Sequence, residues 1–339
     1  GWDFVNDDGD PFDDNGHGTH CSGTIGGVGD NGIGVAGVNW NVKIMGLKFL
    51  SAGGSGSSSD AVLAIDYATM MGVKLTSNSW GGGGYSQELY DAIARANAAD
   101  IAFVAAAGNG YGQNTYTTPH YPSSYDLPNI IAVAATDHKD QLADFSNIGP
   151  TTVDLGAPGD DILSTLPGNS YGLLSGTSMA TPHTAGVAAL IYSVNPNVPM
   201  AQMKTVLLNA TDPIPALAGK CVSGGRLNAF FAIAEPDTDP PGVIDDLATT
   251  EATSNTMYLG WTATGDDGDV GTASFYEVRW STDPIDDANW GAATRAGNEP
   301  APEISGSPQS MEVHGLTADT LYYFAIKAFD EWGNAGPLS

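Results

Sequence analysis

Three separated stretches of the chain surround one reactive group with glycine and other small residues, which lets backbone approach whatever that group acts on. The first is Asp14-Asn15-Gly16-His17-Gly18-Thr19-His20-Cys21-Ser22-Gly23. The second, Ala105-Ala106-Ala107-Gly108-Asn109-Gly110, closes an apolar run, and the third is Ser175-Gly176-Thr177-Ser178-Met179-Ala180-Thr181-Pro182-His183. Ser178 falls where a helix is expected to begin, so its hydroxyl sits at the positive end of a helix dipole among backbone N–H groups lacking an intrahelical acceptor. A neutral imidazole such as His17 takes a proton from such a hydroxyl as it attacks a carbonyl carbon, and an amide N–H such as that of Asn109 binds the oxyanion that forms. Each residue alone has a plainer reading: a histidine beside glycine is ordinarily structural, a serine at a helix start is a cap, and an asparagine after a strand is a turn residue.

Taken together and in this order, His-Gly-Thr-His-Cys-Ser-Gly, Ala-Ala-Gly-Asn and Gly-Thr-Ser-Met-Ala-Thr-Pro-His resemble the subtilisin-like serine proteases (subtilases), over residues 1 to about 235. The resemblance implies a secreted, extracellular serine endopeptidase that acts on proteins or peptides through an acyl-enzyme. His17 would be the general base, Ser178 the nucleophile and Asn109 the oxyanion donor. It also implies that Ser79, Trp80 and Gly81, with Ala107 and Gly108, wall the first specificity pocket, while Gly54, Ser55 and Gly56 flank the other side of a peptide held as an added strand. A glycine-rich pocket mouth predicts tolerance for a large apolar residue before the scissile bond, while His120 near the expected pocket base leaves the preference open.

The family pattern needs a carboxylate that orients the histidine, on an upstream strand and followed by Ser/Thr-Gly. The sixteen residues ahead of His17 hold no Asp-Ser-Gly or Asp-Thr-Gly, and Asp13 and Asp14 belong to the histidine's own loop. The chain is therefore expected to be a piece of a longer one that lacks the triad aspartate. By itself it should be nearly inactive, since loss of that aspartate alone costs subtilisin roughly 10⁴ in turnover. The alternative, from a different class, is a catalytically inactive subtilase-like binding scaffold attached through its C-terminal module.

Carboxylates crowd the N-terminal loop, a self-repelling arrangement unless a hard cation neutralises it. Calcium is the expected cofactor, and likeness to calcium-stabilised subtilases points to Asp3, Asp8 and Asp10 as ligands. Asp30-Asn31-Gly32-Ile33-Gly34-Val35 resembles a second calcium loop, with the Asn31 side chain and the Ile33 and Val35 carbonyls as donors. His17 and His20 lack a third ligand at zinc spacing. Gly168-Asn169-Ser170-Tyr171-Gly172 fits the G-x-S-x-G of α/β-hydrolases, but a strand-like run follows where that motif requires a helix, so it reads as a turn.

The elements that must position these groups alternate. Expected strands are Val42–Leu50, Lys74–Trp80, Ile101–Ala107, Ile130–Ala135, Thr152–Leu155 and Ile162–Leu166. Expected helices are Ser59–Met71, Gln87–Ala99, Ser178–Ser193, Ala201–Asn209 and Leu227–Ile233. This predicts an α/β fold, and the resemblance makes it the subtilisin-like three-layer fold with a mainly parallel sheet, over residues 1–235. Residues 236–241 read as a proline-rich linker. Residues 242–339 show period-two alternation and resemble a fibronectin type III domain, an all-β sandwich. Trp261, the run Phe275–Trp280, and Leu316 with Tyr322 six residues on as the tyrosine corner carry that likeness; its last strand is expected to be absent.

The chain has 339 residues with 11 Lys+Arg against 39 Asp+Glu, a net charge of −28 that repels phosphate backbones and argues against nucleic-acid partners. No apolar run is long enough to span a membrane. A monomer is expected, with surface or polymer contact through the type III module.

Overall fold

The structure, a computed structural model, describes residues 1–234, 239–330 and 333–339. Its contacts divide it into two compact units, Gly1–Ala234 and a second that runs to Ser339. Residues 235–238, which take in the first half of the expected linker, lie outside the described residues.

The first unit runs β1 (Trp2–Asp3), α1 (His17–Gly26), β2 (Leu47–Lys48), α2 (Ser58–Met70), β3 (Leu75–Asn78), α3 (Gln87–Ala98), β4 (Ala102–Ala106), β5 (Ile130–Thr136) and β6 (Leu155–Pro158). It continues with β7 (Ile162–Leu166), β8 (Ser170–Leu174), α4 (Thr177–Val194), α5 (Met200–Asn209), β9 (Thr211–Pro213), β10 (Gly225–Leu227) and α6 (Ala229–Ile233). The main sheet has the order β3-β4-β5-β6-β10-β9, parallel except for β9. Every residue of β4 and β5 is buried, as a parallel sheet covered on both faces requires. Alternate residues serve opposite layers. Ile101, Phe103 and Ala105 pack with Ile65, Leu89 and Ile93 of α2 and α3. Ala102 and Val104 pack with α4 and α5 through Val187, Ile191 and Met203. Ser57 and Ser86 cap α2 and α3 through hydrogen bonds from Asp60 N and Leu89 N. This unit thus has three layers, helix on sheet on helix.

Sequence and structure part company at several places; of the expected strand Thr152–Leu155 only Leu155 is strand, β6 running on to Pro158, and β9 and β10 were not expected. Helix α1 was not expected, because Gly18, Gly23 and Gly26 leave it without a helical apolar period. Of Val42–Leu50 only Leu47–Lys48 is strand, paired in parallel with Trp2–Asp3. Ile162–Leu166 joins β8 in a hairpin apart from the main sheet. Leu227 ends a strand, and α6 starts only after Asn228, whose side chain accepts from Phe230 N and Phe231 N.

The second unit is built from β11 (Ala248–Ala252), β12 (Thr256–Thr262), β13 (Phe275–Ser281), β14 (Thr294–Arg295), β15 (Pro308–His314) and β16 (Tyr323–Phe329). Its sheets, β11-β12-β15 and β14-β13-β16, enclose Leu259, Trp261, Tyr276, Val278, Val313 and Ile326. The Tyr322 hydroxyl accepts from Thr317 N at 3.0 Å, a corner lock between turn and strand. Pro240 O accepts from Gly268 N, and Gly336 N and Ser339 N donate to Ala328 O and Ile326 O along the free edge of β16.

Candidate active site

Neighbouring parallel strands β3 and β4 end side by side and deliver Ser79–Gly81 and Ala107–Asn109 at the same edge of the sheet, where open α/β sheets take ligands. Helix α4 lies against β3, β4, β5 and β6 and brings Ser178 to that edge as its second residue. Pro182 stands inside α4 and has no N–H, so the carbonyl four residues back, that of Ser178, has no helical donor. Two side chains supply it: Ser79 Oγ donates to Ser178 O at 2.7 Å and Cys21 Sγ at 3.4 Å. In return Ser178 Oγ donates to Ser79 O at 3.2 Å. The nucleophile candidate is therefore pinned to the end of β3 and to α1.

Asn109 meets the start of α4 through its oxygen. Its Oδ1 accepts from Thr177 N and from Thr177 Oγ1, both at 3.0 Å, while Thr177 Oγ1 accepts from Gly108 N at 3.1 Å. With Oδ1 engaged, the exposed side chain turns its Nδ2 amine toward Gly176, 3.4 Å from where a Cβ of that residue would lie. A hydrogen-bond donor thus stands beside Ser178.

His17 opens α1 after Gly16, whose φ of 101° suits glycine. Asp13 caps this helix with both oxygens: Oδ1 accepts from Asn15 N and Gly16 N, and Oδ2 from Thr19 N at 2.7 Å and Thr19 Oγ1 at 2.6 Å. Burial opposes ionisation of Asp13, yet these bonds, led by Thr19, hold its carboxyl below the usual range. Asp13 is thus a capping residue and leaves the His17 ring without a carboxylate partner among the described residues. Burial, and secondarily His20, lower the pKa of His17, with Asp13 pulling the other way. A neutral imidazole is the form a general base needs.

The second histidine of the motif is structural. His20 is fully buried, and its Nε2 lies 2.9 Å from Ile162 O and 3.2 Å from Gly172 O. Ser164 Oγ and Thr165 Oγ1 donate to His20 O and Thr19 O, fastening the β7–β8 hairpin onto α1. The G-x-S-x-G stretch is the turn of that hairpin and its second strand. Cys21 is buried and its thiol pKa is pushed up to about 11 by desolvation, so it is no nucleophile.

The remaining expected substrate residues lie close by. Gly54–Gly56 forms an exposed turn in which Ser51 N and Oγ donate to Ser55 O, and Asn15 Nδ2 donates to Ala52 O at 2.8 Å, tying this turn to the His17 loop. Trp80 packs edge-on against Phe49 and Phe103 and donates Nε1–H to Asn78 Oδ1. Gly81 and Gly108 both back onto the ring of His120.

The two acidic loops differ in their fit to calcium. Asp3 is buried, its oxygens accepting from Val5 N, Asn6 N and Asn6 Nδ2, with the Lys48 ammonium 3.2 Å from Oδ2. Asp8 accepts from Asp10 N. The chain's own donors satisfy Asp3, and among the described residues no three His, Cys, Asp or Glu groups converge on a metal position. The first loop therefore does not fit the ion as arranged. The second loop curls around an open hollow of about 220 Å³ lined by residues 28–36, with Asn31 Oδ1 folded onto Ile33 N. Its neutral oxygens are of the type a hard cation takes.

The family model of the Subtilase family matches residues 1–255. The chain belongs to the subtilase family. Its class is that of the subtilisin-like serine endopeptidases, and a second family model, the Fibronectin type III domain, matches residues 239–339. The subtilase portion is 40% identical over 233 residues to thermitase of Thermoactinomyces vulgaris, covering 69% of this chain and 80% of that one. It is likewise 40% identical over 233 residues to the thermophilic serine proteinase of Bacillus sp. (strain AK1), covering 56% of that protein. The crystal structure of a cold adapted subtilisin-like serine proteinase superposes with a TM-score of 0.60 at 34% identity, over 68% of this chain and 80% of that one.

Reading the sequence missed three supports of the subtilase site: the Asp13 cap, the grip of Thr177 on Asn109, and the substitution of Ser79 and Cys21 for the amide that Pro182 lacks. The proline four residues after Ser178 was the available clue to the last.

Proposed function

We propose that this subtilase portion is the catalytic part of a secreted endopeptidase in which Ser178 attacks the scissile carbonyl. His17 takes the hydroxyl proton and returns it to the leaving amine. The single observation that carries this is the orientation of Asn109, whose oxygen is spent on Thr177 while its amide Nδ2 lies 3.4 Å from the position a Gly176 Cβ would take, with Ser178 N 3.6 Å from the same position. There the amine would stabilise the negative charge of a tetrahedral intermediate, with the Ser178 N–H as second donor. Ser178 Oγ must first leave Ser79 O and turn to the imidazole, a rearrangement in keeping with the loose catalytic hydrogen bonds of unliganded enzymes. Ser79–Gly81 would pair with the peptide before the scissile bond and Gly54–Gly56 would lie along its other side. The type III module would make contact with a surface or polymer. The residues are best tested by casein or peptide hydrolysis with the protein in the longest form its gene encodes; turnover that survives Ser178→Ala would refute the assignment.

Calcium belongs to this reading at the second loop, held by the Asn31 side chain and the Ile33 and Val35 carbonyls. When bound it would supply loop rigidity and no chemistry. Chelation is expected to lower the melting temperature by several degrees, as loss of a ligand bound only to the folded state does. Melting curves that superpose with and without EDTA would remove calcium from the account.

A further inference from the structure

Three consecutive side chains fasten the loop that presents His17, each to a different partner. Asp13 caps α1, and Asn15 donates Nδ2–H to Ala52 O at 2.8 Å. Between them, an oxygen of the Asp14 carboxylate lies 3.6 Å from Lys48 Nζ. Lys48 ends β2 in register with Asp3 of β1, and its ammonium also stands 3.2 Å from Asp3 Oδ2. The Lys48 side chain is 10% exposed and that of Asp3 2%, against 44% for Asp14. One cation thus serves two carboxylates, one buried and one at the surface. It joins the start of the His17 loop to the strand that leads into the Gly54–Gly56 turn.

Charge balance gives the reason for a lysine at this place. Residues 1–14 hold six aspartates, and the chain has no lysine or arginine before Lys43. A buried carboxylate needs a partner of opposite charge, so Asp3 pins the ammonium, and the pinned ammonium in turn holds Asp14. We infer that Lys48 is a positioning residue for the proposed general base: through Asp14 it holds the His17 loop against the segment that flanks the substrate. This rests on the endopeptidase reading. Lys48 carries no proton to or from the substrate; it fixes where the imidazole stands. In this chain the charged groups that act on the His17 ring are His20 and Asp13. Asp14 therefore works by holding position and not by tuning the proton affinity of the ring.

The test measures kcat, KM and the pH profile on a peptide anilide, with the protein in the longest form its gene encodes. Lys48→Met keeps the reach of the side chain without its charge and is expected to lower kcat about ten- to a hundredfold, with KM within about twofold, the scale of a slightly misplaced catalytic group. It also leaves Asp3 buried without its cation and should melt at a lower temperature. Lys48→Arg is expected to recover kcat to within a few-fold. Asp14→Asn changes an exposed group, so the fold and melting temperature should hold while kcat drops about two- to fivefold, the fold-change of one exposed ion pair. The acid limb of its profile should stay where it is, and Asp14→Asn added to Lys48→Met should lower kcat no further. Asp14→Asn is read by itself if Lys48→Met does not fold. An unchanged kcat in Asp14→Asn, or a shifted acid limb with the plateau intact, overturns the inference and leaves the endopeptidase reading standing. No hydrolysis by the unaltered protein, with no reaction of Ser178 toward an acylating reagent, sinks the endopeptidase reading itself.

Discussion

Helices α1 and α4 both begin just after a glycine, both carry a residue of the proposed catalytic pair, His17 or Ser178, in the first turn, and both lack a capping side chain at the N-cap residue itself. Their exposed N–H groups are served from elsewhere, by Asp13 at α1 and by Asn109 at α4. At α1 the cap is a carboxylate using both oxygens, which fixes the His17 loop and adds a negative charge near the imidazole. At α4 the cap is an amide, which accepts with one end and still has donors at the other. A carboxylate in place of Asn109 would satisfy Thr177 equally well but would turn negative charge toward a developing oxyanion. The residue type at each cap thus follows from the chemistry beside it: anionic where a proton is to be received, neutral and bifunctional where negative charge is to form.

Substitutions can break this contrast in order of severity. In the longest form the gene encodes, Ser178→Ala removes the attacking atom and should lower kcat by about 10⁶, measured on a peptide anilide, with His17→Ala costing nearly as much and the double variant little more. Asn109→Leu should lower kcat by about 10² to 10³ with KM little changed. Asn109→Asp should do worse than leucine although it keeps the bond to Thr177; a milder effect would mean the Nδ2 amine is not the functional end. Asp13→Ala should leave an unfilled helix start and cost about 1–2 kcal/mol of stability, read from thermal or urea melting.

The same pair sharpens with pH. Because the folded-state pKa of Asp13 is lowered, its contribution is present above the ordinary carboxylate range and lost as pH falls through the lower folded value. Melting temperatures of wild type and Asp13→Ala should therefore converge under strongly acid conditions and separate again near neutrality. The smallest effect expected is on the His17 ring in this chain. Its NMR titration should fall below the ordinary histidine value of about 6.5, and Asp13→Asn should move it lower still by removing the one charge that raises it. A midpoint that rises in Asp13→Asn would contradict the electrostatic part of the comparison.

The sheet and its flanking helices were legible because their residues obey one period each. The continuous apolar runs of β4 and β5 and the spacing of Leu89, Ile93 and Ala96 are fixed by burial alone. Helix α1 was not legible. Its glycines serve close approach: a Cβ at Gly23 would lie 2.1 Å from Thr165 Oγ1 and one at Gly26 2.5 Å from Val42 Cγ1, so packing against neighbours displaced helix propensity from the sequence. His17, Asn109 and Ser178 were picked out by their motifs, and the fold brings them to neighbouring helix and strand ends. Which atom of Asn109 faces the site, and what fills the space between Gly81 and Gly108, depend on contacts between residues 12 to 68 positions apart, which no local pattern encodes.

The most direct test of the account is covalent. The protein, in the longest form its gene encodes, would be treated with a fluorophosphonate that phosphorylates activated serines and then mapped by peptide mass spectrometry. The account predicts one adduct, on Ser178, lost in His17→Ala and in Ser178→Ala. No adduct, or an adduct on Ser170 or another hydroxyl with Ser178 untouched, would contradict the assignment of Ser178 as a nucleophile activated by His17.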